Sequence, residues 1–335
     1  MTAQQAGALP GRLPLIGIYP AAYRASHGEE IAAVFAESVE GADRRTVLRE
    51  WVTLAAHAAR LRTRLSSGDP AGRALAGAAP YLLAGGAALA FVQLLMGLFI
   101  REPHSELMGL HTTAASAVGV VQTVPWLLAL LGAGLGHWGA ARVLVLVGVL
   151  ARIGAAVGYF VHPAGVLFLS LYQLPLWLLL GVPLLIAPPD GVDQRVRARV
   201  GTVVAAGAIV LPMSALVLAW PWRELEDYSE VIFPRSTQML LDASSAWPAV
   251  VMAIAFFVHF AARRPDRPRA VGVALAALPW AVMLPAPYYW ALPRDLADLG
   301  RNLAVVVGLL AVAATLAAFS RTLAASRNPE PVEPA

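Results

Sequence analysis

The sequence predicts an all-α fold: a polytopic transmembrane helical bundle of about eight spans, preceded by a small N-terminal cytoplasmic helical domain. Three observations lead there. The residue alphabet is that of a membrane protein, since 58% of the residues are hydrophobic, only 14% are charged and mean hydropathy is +0.64. From residue 77 onward, apolar stretches recur near the length of about 20 residues that a helix needs to cross roughly 30 Å of hydrocarbon. Residues 20–67 break this pattern, being charged and helix-patterned.

Taken in order, residues 1–12 are expected to be disordered, 13–68 to form the helical domain, 69–323 to form the bundle and 324–335 to be a disordered cytoplasmic tail. The expected spans are 77–100, 113–134, 142–161, 165–187, 200–220, 246–262, 271–290 and 301–320. Seven or nine are the alternatives, because 142–161 carries an arginine and 246–262 is short. The opening residues hold only a brief apolar run, broken by Pro14, Gly17 and Pro20, so the first span is expected to serve as an uncleaved insertion signal.

Orientation follows from the basic residues, because short loops rich in arginine stay cytoplasmic. With eight spans, fourteen arginines fall on one side, among them Arg60, Arg62, Arg64, Arg195, Arg197, Arg199, Arg267 and Arg269, against five on the other. Both termini are then cytoplasmic in a plasma (inner) membrane, and the acidic segment 223–233 lies outside.

Within the N-terminal domain, Ser26 and Glu29 have the spacing of a capping box, and Gly41 is a stop signal. A second helix is expected from Asp43 as N-cap to about Leu65, with an apolar stripe of Leu48, Trp51, Val52, Ala55, Ala58 or Ala59, and Leu65. Neither helix is long enough to be stable alone in water, so each must pack on its neighbour, a partner or the bilayer.

All 25 basic residues are arginine and there is no cysteine. Without lysine there is no phosphate-binding GxxxxGK[ST] loop and no Schiff base. Without cysteine there is no disulfide, thiolate nucleophile or cysteine-ligated zinc. No hydrolase, kinase or redox constellation appears, so a non-enzymatic protein is expected, with no cofactor, no metal and no direct nucleic-acid contact. His104, Glu106 and His111 are of metal-ligating types, but in a short loop they read as solvated polar residues.

Polar residues inside the spans are the main candidate site. Arg152 stands ten residues after Arg142, about 15 Å deeper, and a central arginine costs roughly 2.5–3.5 kcal/mol on insertion scales, so it must face the bundle interior with partners. No Asp or Glu lies in any expected span. Gln93, Gln122 and Gln173 fall at similar depth on three other helices. Two readings stand: a site for an anionic or strongly polar ligand with Arg152 as the charge, or an internal polar knot that fixes helix order. Prolines 80, 125, 175, 183, 212 and 279 each free a backbone carbonyl within a span.

The order Tyr19, Pro20, Tyr23, Arg24, His27, Gly28, Glu29, Glu30, followed by an apolar-periodic helix, resembles the permease-prefix and HAAS-type helical domains. These precede the membrane spans of many actinobacterial proteins, and the resemblance covers residues 13–66. It implies association with ABC-type permeases or with PadR-type transcriptional regulators, and no catalytic residue. Tyr19, Tyr23, Arg24, Glu29 and Glu30 are then the candidate partner-binding set. The leading expectation is a regulatory, sensor or docking protein in the lipid bilayer, held by a cytoplasmic transcriptional regulator or an ATPase subunit. A permease subunit of a small-molecule transporter is the alternative.

Overall fold

The computed structural model describes residues 18–99, 113–161, 165–219, 235–262, 267–282 and 296–327, and among them every regular element is helical. The chain divides into two compact units, Met1–Arg73 and Ala74–Ala335.

The first unit is built on two helices, α1 (Ala21–Val39) and α2 (Arg44–Arg62), packed on each other. Gly41, at φ +69°, takes the left-handed conformation that turns the chain between them. Asp43 caps α2 as expected, accepting from the Thr46 backbone N–H at 3.1 Å and from its hydroxyl at 2.5 Å. These bonds favour the carboxylate and hold Asp43 below the usual carboxylate pKa range.

Two expectations are corrected here. Ser26 does not cap a helix: α1 begins five residues earlier, with Pro20 at its N-cap, and the Ser26 hydroxyl donates back to the carbonyls of Ala22 and Tyr23. Pro20 has its φ fixed near the helical value and so favours an early start. The apolar stripe of α2 is also rotated. Its inward face runs Val47, Trp51, Leu54 and Ala58, while Leu48 and Val52 are 54% and 60% exposed.

The second unit comprises α3 (Pro70–Phe99, from Ala74 onward), α4 (Thr113–Gly134), α5 (Trp138–Val161), α6 (Gly165–Ile186), α7 (Val196–Ala219), α8 (Arg235–Ala261), α9 (Arg267–Ala277) and α10 (Leu296–Arg327). Among the described residues, five helical stretches are long and apolar enough to cross a membrane: Pro70–Leu95, Ala117–Gly134, Trp138–Val161, Val196–Leu218 and Leu299–Leu323. Gln173–Ile186 and Ala246–Ala261 are shorter apolar helices. The helix at the expected span 271–290 ends at Ala277 and tightens to a 3-10 turn, Leu278–Val282, around Pro279, which lacks the N–H that an α-helix would use. Helix α10 runs to Arg327, past the expected start of the tail.

Short connections set the neighbours. Helices α4 and α5 are joined by residues 135–137 and pack together, α5 continues onto α6, and α8 packs with α9 and α10 while α7 bridges α4 and α8. The middle of α3 is buried on every side, from Leu82 to Ala90, as expected of an apolar-all-round helix at the centre of a bundle. Its small residues permit close crossings. A Cβ on Gly272 of α9 would stand 2.4 Å from the Ala74 carbonyl oxygen, so two backbones touch there.

The surface of this unit is apolar. Val143, Leu150, Val157 and Phe160 on α5, Val204 and Leu211 on α7, and Val312, Leu316 and Phe319 on α10 are all exposed. Among the described residues of this unit, the buried polar ones are Gln122, Thr123, Arg152, Thr202 and Asn302.

Candidate functional site

Arg152, on the inward face of α5, is 4% exposed. Its Nη2 donates to Gln93 Oε1 from α3, and its Nη1 lies 3.5 Å from Gln173 Oε1 from α6. Gln93 Nε2 donates to the same Gln173 oxygen at 2.6 Å, closing a three-helix ring. The guanidinium carbon lies 4.4 Å from the Trp177 ring centroid, so the indole face supplies a cation–π contact. No carboxylate pairs with Arg152 among the described residues, and its Nε–H is buried without a hydrogen-bond partner. Among the described residues, amide oxygens and a π face are what solvate the charge.

Three of the four residues expected at this depth are thus in direct contact. Gln122 is buried on α4, one turn before Trp126. Sequence reasoning missed Trp177, although it follows Gln173 by four residues and so shares its helix face.

Large aromatic side chains pack beside the ring. Trp126 and Trp177 lie with centroids 5.0 Å apart. Trp126 fills a slot floored by glycine: a Cβ on Gly86 would approach its Cζ3 to 2.2 Å, and one on Gly148 its Nε1 to 2.7 Å. Trp177 packs against Trp126 and presents its face to Arg152.

Carbonyls freed by a proline or left at a helix end find side-chain partners. Pro212 cannot donate to the Ala208 carbonyl, and Trp247 Nε1 donates to it instead at 2.7 Å. Arg142 donates to the Leu185 carbonyl in the last turn of α6, one of the carbonyls left orphaned at a helix end. His259 shares a 2.5 Å hydrogen bond with the Tyr81 hydroxyl. Asn302 Nδ2 donates to the Ala281 carbonyl at 3.1 Å. Asp193 accepts from Arg269 at 2.7 Å and from the Arg195 backbone N–H, which hold its carboxyl below the usual range.

In the first unit, the motif residues divide between inside and outside. Tyr19 is 3% exposed; its hydroxyl lies 3.2 Å from His57 Nδ1, and burial raises its pKa. Tyr23 stacks on both Tyr19 (5.7 Å) and His27 (4.6 Å), while Phe35 meets Trp51 edge-on at 5.5 Å. Tyr19 and Tyr23 are therefore spent on the hairpin itself. Glu29, Glu30, Val34, Leu48 and Val52 are exposed, and Arg24 is half-buried.

His104, Glu106, His111 and the acidic segment 223–233 lie outside the described residues. No family model, curated protein or solved structure matches the chain.

Proposed function

We propose that the chain is a non-enzymatic integral membrane protein of about eight spans with both termini in the cytoplasm, whose N-terminal two-helix unit is a handle for a cytoplasmic protein. The observation that carries this reading is the surface of that unit. A hairpin with a formed aromatic core leaves Val34, Leu48 and Val52 more than half exposed, and Glu29 and Glu30 of α1 exposed as well. A surface that mixes exposed apolar and charged side chains suits a protein contact. A transcriptional regulator or an ATPase subunit is the partner that the motif resemblance suggests.

The test is a crosslinked pull-down from native membranes, comparing the natural chain with L48E/V52E. Both positions are exposed, so the hairpin stays folded. Retention of one regulator or ATPase by the natural chain and its loss from the variant is the expected result. Equal retention by both would sink the reading.

The uncompensated charge of Arg152 favours a second reading, a permease subunit that passes a small anion. Arg152→Gln keeps much of the hydrogen bonding and removes the charge. On that reading, anion flux into proteoliposomes falls at least tenfold while the protein stays folded.

A further inference from the structure

At the end of the bundle where α4 finishes and α5 and α7 begin, Ala133, Gly136, Trp138, Asp193, Arg199 and Thr202 help to line a partly enclosed cavity of about 10 Å³. That is room for one water-sized atom. Two of its lining residues carry buried N–H groups without a hydrogen-bond partner: the Trp138 indole Nε1 and the Arg199 Nε. Trp138 is more than nine-tenths buried. An indole and a guanidinium can only donate, so the pair requires an acceptor.

The local charge decides which acceptor. Asp193 also lines the cavity, but its carboxylate is taken by Arg269 and by the Arg195 N–H. Arg199 has no carboxylate partner among the described residues; its Nη1 reaches only the Gly134 carbonyl, at 3.4 Å. A positive charge with an orphaned donor remains. Gly136, at φ +91°, is what lets the guanidinium lie so close, since a Cβ there would stand 2.8 Å from Arg199 Nη1. Arg142, Arg195 and Arg197 belong to the same end of the bundle, which the arginine distribution assigns to the inner leaflet.

We propose that this cavity receives one oxygen of a phosphate group, held by Arg199 Nε–H and Trp138 Nε1–H, with the rest of the group outside the partly enclosed mouth. Bound there, the phosphate ties the end of α4 to the starts of α5 and α7. The source is an anionic lipid headgroup at the inner leaflet or free phosphate in the cytosol. This site concerns the bundle alone and does not depend on what the N-terminal unit binds.

The test uses the full chain in maltoside micelles, which carry no phosphate of their own, with thermal unfolding followed as either inorganic phosphate or phosphatidylglycerol is added. A saturable rise in Tm is expected with at least one of them, and which one responds names the source. The rise is lost in Arg199→Gln and in Trp138→Phe, which keeps an aromatic ring and removes the N–H with part of the indole, but persists in Arg197→Gln, an exposed arginine on the same helix. No response to either probe means that the cavity takes water only. Such a result overturns the proposal, as does a response that Trp138→Phe leaves intact or that Arg197→Gln weakens as much as Arg199→Gln.

Discussion

In the N-terminal unit, Tyr19, Phe35 and Ala58 are buried and Glu29, Glu30, Glu37 and Arg49 are exposed, the sorting that water imposes on any folded chain. In the bundle the surface carries Val, Leu and Phe, whereas Arg152, Gln122, Thr202 and Asn302 are buried. The two units therefore differ in their surfaces more than in their cores: the bundle also buries Leu82, Trp126, Trp177 and Trp280, but much of its outer face is apolar as well. Water rewards burial of apolar area, but lipid is as apolar as leucine and gives no such reward. Close packing and internal polar pairing must hold the bundle together instead. Glycine slots and a three-helix arginine–glutamine ring serve that purpose here.

The comparison can be broken first at the slot. Trp126→Ala removes a fully buried indole with no room for collapse and is expected to cost about 3–5 kcal/mol, read as loss of folded protein or a large fall in Tm. Gly86→Val drives a side chain into the same ring and is expected to cost about 1–3 kcal/mol or more. If both were tolerated within about 0.5 kcal/mol, packing would not be what holds the bundle.

Arg152 sharpens the contrast at its polar end. Arg152→Leu leaves Gln93 Oε1 without its donor and is expected to cost about 1–3 kcal/mol, with Arg152→Gln costing less. Equal losses would mean that side-chain volume, not hydrogen bonding, is what matters at this position.

A smaller effect is expected at Asp193, a partly exposed ion pair worth about 0–1 kcal/mol. Its folded pKa is depressed, so its contribution is fully present above the unfolded value near 4 and fades as pH falls through the folded value. The stability difference between the natural chain and Asp193→Asn should therefore be present at pH 7 and shrink on acidification. A difference that grows on acidification would contradict the assignment. Smallest of all, Leu48→Ser and Val52→Ser should move the stability of the N-terminal unit by no more than about 0.5 kcal/mol, because neither side chain is packed.

Helix existence was legible because apolar run length and periodicity are local properties. The Asp43 cap and the Gly41 turn were legible for the same reason, since each acts within four residues. The Ser26 capping box failed because Tyr23 and His27 stack one turn apart, which requires helix before Ser26. The stripe of α2 was misplaced by about one residue, since Leu48 and Val47 are equally apolar and only the position of α1 chooses between them. Depth alone grouped Arg152 with the glutamines. Depth could not reveal Trp177 over the guanidinium, Arg142 on the Leu185 carbonyl or Asp193 against Arg269, because those pairings depend on which helices are neighbours.

The absence of cysteine in the natural chain gives the most direct measurement. Single cysteines at Thr63, Gln194, Glu106 and Ser229 would be probed in intact cells with a membrane-impermeant maleimide. Glu106→Cys and Ser229→Cys are expected to label from outside, while Thr63→Cys and Gln194→Cys label only after the membrane is opened. Labelling of Thr63→Cys in intact cells would put the two-helix unit on the outer face and contradict its role as a cytoplasmic handle.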